Sequence, residues 1–204
     1  MWVNEALALA KIVQLDTGDE ESILRVAKQL EGTPIDLLIN NAGIEEAATF
    51  ETATKANFMR AFEVNAVALV DNLRLASTQR GSSVVANISS MSASIAVNTG
   101  GSYTLLGTCG PEYQAFKAGI GGRYPYRASK VAVNMISTSL ASDLRPDNII
   151  VVAIQPGLVK TDLAGDRGLF PPEVAVAHVS KRLGTLTIAD TAKFYDVTGP
   201  ELPW

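Results

Sequence analysis

The sequence predicts an α/β fold built on a mostly parallel sheet, and three observations carry that prediction. Short, nearly all-apolar runs, Ile-Asp-Leu-Leu-Ile at 35–39 and Ile-Ile-Val-Val-Ala-Ile at 149–154, read as strands covered on both faces. They alternate with stretches whose apolar residues recur at helical spacing, the rhythm of βαβ units. Small and polar residues follow each run, and the carboxyl ends of parallel strands are where such sheets hold ligands.

Taken in order, Lys-Ile-Val-Gln-Leu at 11–15 reads as a first strand. Thr17 and Glu20 then have the spacing of a capping box, and Ile23, Leu24, Val26, Ala27 and Leu30 give the helix an apolar face. Gly32-Thr33-Pro34 ends it, and 35–39 is the second strand. A long helical pattern covers 55–78 and stops near Gly81, before a third strand at 83–88. Residues 92–123 break the rhythm, with seven glycines and no period. Helical spacing returns at 126–144, with Ala128, Val131, Met135 and Leu140 as candidate core residues. The fourth strand, 149–154, is closed by Pro156-Gly157, Pro171-Pro172 opens a last helix to about residue 183, and 193–195 is a short final strand. The count is about five strands and four helices, without repeats, heptads or low-complexity tracts.

Composition narrows the chemistry. The 204 residues fit a single domain, and 47% hydrophobic against 19% charged residues allow a sizeable core. One cysteine, Cys109, and one histidine, His178, exclude a disulfide framework and the usual zinc sites. No G-x-S-x-G elbow is present, so the chemistry falls to Ser, Tyr, Lys, Asn and carboxylates. A net charge of −4 and a pI near 5.1 argue against nucleic acid as a partner. The apolar runs are far too short to span a membrane, and the N-terminus lacks signal-peptide features, so the expected location is cytoplasmic.

The strand ends carry Asp16, then Asn40-Asn-Ala-Gly43, then Ser89-Ser90, then Pro156-Gly-Leu-Val-Lys-Thr161. Tyr126-Arg-Ala-Ser-Lys130 places a phenol and an ammonium four residues apart on one helix face. An ammonium there favours the phenolate and makes the tyrosine a usable proton donor or acceptor near neutral pH. With Glu63-Val-Asn65 and Asn87-Ile-Ser-Ser90, these segments occur in the order found in the short-chain dehydrogenases/reductases, and the chain resembles that family from about residue 11 onward. The strings Tyr-Arg-Ala-Ser-Lys-Val-Ala-Val-Asn-Met and Thr-Gly-Pro-Glu-Leu-Pro-Trp are most similar to the C-factor and sniffer-like carbonyl reductase branch. Fungal ketoreductases of secondary metabolism are also similar.

The resemblance implies a Rossmann-like doubly wound parallel sheet and hydride transfer between NADP(H), with NAD as the alternative, and a small-molecule carbonyl or alcohol. Tyr126 would be the general acid, Lys130 would lower its pKa and hold the nicotinamide ribose, and Ser90 would hydrogen-bond the substrate oxygen. Asn65 would anchor a water linking Lys130 to solvent. Asp16 would lie beside the adenine, Asn41 along its ribose, Arg74 near the cofactor, and Val159 and Thr161 at the carboxamide and phosphate end. A homo-oligomer is implied by many family members, a monomer by those with an insert before the tyrosine.

Two departures from the family shape these expectations. The glycine-rich T-G-x-x-x-G-x-G loop is absent, and Met1 to Leu9 aligns with the end of the family's second helix. The expected domain, residues 1–204, therefore lacks the first two strands and the phosphate loop, and 11–15 would pair directly with 35–39 or stay unpaired. Ser90 and Tyr126 stand 36 positions apart, much further than is usual in the family, which points to an insertion at about 102–120. The competing expectation is a catalytically inactive relative, or a truncated gene product, that has lost cofactor binding.

Overall fold

The computed structural model describes residues 12–46, 48–73, 83–98 and 122–204. Among them four strands, β1 (Leu37–Asn40), β2 (Val84–Ile88), β3 (Ile150–Gln155) and β4 (Lys193–Asp196), form one sheet in the order β1-β2-β3-β4. Every pairing is parallel. Parallel neighbours need crossovers, and helices occupy them. α1 (Glu20–Leu30) precedes β1, α2 (Lys55–Phe62) and α3 (Ala68–Leu73) follow it, α4 (Tyr124–Leu144) leads into β3, and α5 (Pro172–Leu183) leads towards β4.

The pleat sends alternate side chains to opposite faces, and each face has a helix to bury them. On one face Ala86, Ile150, Val152, Ile154 and Tyr195 form a cluster capped by Val179 and Leu183 of α5. On the other, Val85, Ile149 and Val151 pack with Leu140, Ala141 and Leu144 of α4. β3 is buried along its whole length, which is why its sequence is apolar without alternation. The α/β, doubly wound reading is the observed architecture.

The second face turns polar towards the carboxyl ends. Asn40 and Asn87 are register partners, and the Asn40 amide donates to Asn87 Oδ1 at 2.8 Å. Asn87 donates to Ser137 Oγ of α4 at 2.9 Å, and Asn72 of α3 donates to Asn40 Oδ1 at 3.2 Å. These buried amides tie the ends of β1 and β2 to both helices above them, because each needs a partner once removed from water.

Four expectations are corrected. Residues 12–16 lie in no strand; Val13 instead packs beside Ile23 and Val26 of α1. A strand persists only where a neighbour takes up its N–H and C=O groups, and none of the described strands pairs with 12–16. The sheet therefore has four described strands rather than five. The cap of α1 is Asp19, whose carboxylate accepts from Glu21 N at 3.1 Å, rather than Thr17. In α4, which starts at Tyr124, Met135 is 66% exposed, while Tyr126, Ser129, Lys130, Val133, Asn134 and Ser137 are buried. Apolar spacing missed this face because most of it is polar. Arg74, Cys109, the helical pattern beyond Leu73 and the 102–120 segment lie outside the described residues.

Candidate active site

A cavity of about 680 Å³ opens at the carboxyl ends of the sheet, where β1, β2 and β3 hand over to their loops. Asn41 and Gly43 line it after β1, Ser90 after β2, Val159 and Thr161 after β3, and Tyr126 and Lys130 from α4. Asp16 is not in the lining; its carboxylate accepts from Gly18 N at 2.9 Å in an exposed turn.

Tyr126 is 7% and Lys130 5% exposed, with the ammonium 5.9 Å from the phenol ring centroid. Lys130 Nζ donates to the Ile88 carbonyl at 2.7 Å, so the end of β2 fixes the cation. Burial disfavours the charged form and pushes the Lys130 pKa down to about 8.

Ser89 and Ser90 both line the cavity but differ in their hydrogen bonds. The Ser89 hydroxyl, 3% exposed, donates to Asn134 Oδ1 of α4 at 2.6 Å. Ser90 lies beside the cavity and accepts from Ser92 N at 3.1 Å, which leaves its own hydrogen available.

Asn65 sits behind this group, 2% exposed, in a π-helical turn, Glu63–Val67, between α2 and α3. Single π-turns inside α-helices redirect one side chain and frequently mark functional positions. Asn65 Oδ1 accepts from Ile44 N at 2.8 Å, and Nδ2 donates to Ile44 O at 2.9 Å and to Ser129 Oγ at 2.9 Å. Ser129 in turn donates to Tyr126 O at 2.8 Å. One amide thus clamps the loop after β1 to the turn of α4 that bears Tyr126 and Lys130. Gly43 passes so close that a methyl group there would stand 3.2 Å from Asn65 Oδ1 and 3.6 Å from Lys130 Nζ.

Three charged lining residues escaped the sequence reading. Glu45 Oε2 accepts from Arg123 at 2.5 Å and from Arg167 at 3.0 Å, and the Arg123 guanidinium lies 5.0 Å from the Tyr126 ring centroid. These residues come from three distant segments, so no local pattern joins them. The one local signal was Arg123 itself, directly after Gly121-Gly122.

A protein-family model described as short chain dehydrogenase matches residues 2–104 and 114–169. The chain belongs to that family of oxidoreductases. The C-signal protein of Myxococcus xanthus is 31% identical over 179 residues, covering 84% of this chain and 93% of the relative. Four other curated relatives are matched over 39% to 66% of their own length. Among solved structures, the NADPH-bound carbonyl reductase from chicken fatty liver is 28% identical with a TM-score of 0.77, covering 95% of this chain and 77% of that one. The carbonyl reductase Sniffer of D. melanogaster, 23% identical, shares the fold with a TM-score of 0.78 over 94% of this chain and 77% of its own. Among the described residues no helix is long and apolar enough to cross a membrane, and no His, Cys, Asp and Glu cluster could hold a metal ion.

Proposed function

We propose that this short-chain dehydrogenase/reductase reduces a ketone or aldehyde to an alcohol with NADP(H), within one domain and in the cytoplasm. The observation that carries the reading is the convergence of Ser90, Tyr126 and Lys130 on one cavity at the sheet's carboxyl edge. Tyr126 is the proton donor to the developing alkoxide, and Ser90, whose hydrogen is available, donates to the same oxygen. Lys130, mostly charged at pH 7 and beside the phenol, favours the phenolate that proton transfer leaves behind. Asn65 is a positioning residue: its amide is fully engaged with Ile44 and Ser129 and holds the two halves of the site together.

The residues present fit a nicotinamide cofactor. Lys130 has three donors and gives one to Ile88 O, and the methyl-free Gly43 opens the floor beside it. Asn41, Val159 and Thr161 line the same cavity. Bound there, the cofactor supplies the hydride. NADP is preferred to NAD because the chicken carbonyl reductase, 28% identical, is NADPH-bound. Titration of the purified chain with NADPH, followed by nicotinamide fluorescence, tests this. Saturable binding that weakens by about tenfold or more in Lys130→Ala is expected. Absence of binding would favour the inactive relative instead.

A further inference from the structure

The cavity is far more cationic than the protein that holds it. The chain carries a net charge of −4, yet among the described residues the titratable side chains in the lining other than Tyr126 are Arg123, Lys130, Arg167 and one carboxylate, Glu45. Lys130 belongs to the proposed catalytic group. The other three form a second cluster in the lining, built by the loop after β1, the residue before α4 and the turn Gly165–Arg167.

Both guanidiniums converge on a single oxygen, Glu45 Oε2, at 2.5 and 3.0 Å. Glu45 is 8% exposed, Arg123 17% and Arg167 36%, so the cluster is largely withdrawn from water yet still open on the Arg167 side. One carboxylate neutralises one guanidinium, and the cluster retains a positive charge where solvent screens it poorly. The backbone of Arg123 is held at φ 54 and ψ 31, in the left-handed region that favours glycine. Strain kept at a cavity wall for a charged side chain is a mark of a functional constraint. Its guanidinium lies 5.0 Å from the ring centroid of Tyr126, so an anion seated here would be part of the molecule presented to Tyr126.

We propose that Arg123 and Arg167, spaced by Glu45, bind an anionic group on the substrate, so that the preferred substrates are oxo acids with the carboxylate a few bonds from the reacting carbonyl. The planar fork of a guanidinium suits a carboxylate, which it can hold with two parallel hydrogen bonds. Glu45 aligns the two forks and occupies part of the positive field, so it competes with the ligand as well as orienting its receptors. The proposal rests on the carbonyl-reductase reading above and gives it a substrate class.

Two measurements separate the fate of the proposal from that of the reading beneath it. The first is the calorimetric affinity of the chain, without cofactor, for benzoate against neutral benzamide. Benzoate is expected to bind tighter by about tenfold or more, Arg167→Gln to abolish that preference, and Glu45→Gln to increase it. The second is the kcat/KM ratio of acid to methyl ester for benzoylformate and levulinate with NADPH. It should favour the acid in at least one pair and fall by about tenfold or more in Arg167→Gln. Arg167 is the truncation to use because its side chain is the most exposed of the three. The proposal is overturned by equal affinity for benzoate and benzamide, or by acids no better than their esters. It is also overturned if Arg167→Gln loses NADPH affinity by the same factor, which would give the guanidiniums to the cofactor phosphates. Oxidation of NADPH with none of the four carbonyl compounds, alongside a persisting benzoate preference, would instead sink the reductase reading alone.

Discussion

Lys130 joins the site's chemistry to the chain's stability. Burial lowers its pKa to about 8 from the ordinary 10.5, so between those values the unfolded chain holds more protons than the folded one. Stability is expected to rise with pH across that window, and the penalty of burying the charge is complete below about 8. Urea unfolding at pH 8 and pH 10.5 should show the rise in the wild type and a flatter response in Lys130→Met; the same slope in both would place the titration elsewhere. Asn65 works by geometry instead of charge. Its three bonds span residues 44, 65 and 129, and the neighbouring Gly43 has no Cβ to push them apart. Of the pair Ser89 and Ser90, which both line the cavity, the first gives its hydroxyl hydrogen to Asn134 and the second accepts from Ser92 N, which leaves its own hydrogen available.

Among the elements, the ends of helices and strands carry the site, and each end has its own local cause. α2 begins at a reciprocal cap between Thr54 and Asn57, and its π-turn places Asn65 inward. The approach to β4 is held by Asp190, which accepts from Tyr195 Oη at 2.7 Å, from Thr187 N and Oγ1, and from Lys193. The Tyr195 hydroxyl first, then the Thr187 and Lys193 donors, keep its carboxyl well below the usual carboxylate range. A depressed carboxylate adds stability that is present above its unfolded pKa and is lost as pH falls through the folded value. Asp190→Asn should cost about 1–2 kcal/mol at pH 7 by thermal or urea unfolding and remove part of the acid sensitivity below about pH 4. A neutral result would show the cluster to be solvent-compensated. The segment 11–15 teaches the converse. Its apolar run has strand composition, but a strand is a property of two chains, and residues 12–16 have no described ladder to join.

For the whole molecule, what could be read from the sequence depended on whether its cause was local. The parallel sheet and the helices between β1 and β4 follow from apolar runs and their spacing, and these were legible, while the order of the strands came from the structure. The strand-end segments that hold Asn41, Ser90, Val159 and Thr161, and the helix turn shared by Tyr126 and Lys130, stood out in the sequence, and the family resemblance picked those residues within them; all six line the cavity. The buried face of α4 was illegible by hydropathy, since Ser129, Asn134 and Ser137 are polar and take partners from β2, its following loop and the π-turn. Glu45, Arg123 and Arg167 meet across sequence separations of 78 and 122 residues, so only folding shows that the cavity of an acidic protein is cationic. The central claim is that this cavity performs carbonyl reduction with Tyr126 as proton donor. Its most direct test is carbonyl-dependent NADPH oxidation by the purified chain and by Tyr126→Phe, with NADPH affinity measured on both. Turnover by the wild type is expected, with a loss of about a hundredfold or more in Tyr126→Phe at similar NADPH affinity. Undiminished turnover in Tyr126→Phe, or NADPH binding without turnover in the wild type, would contradict it.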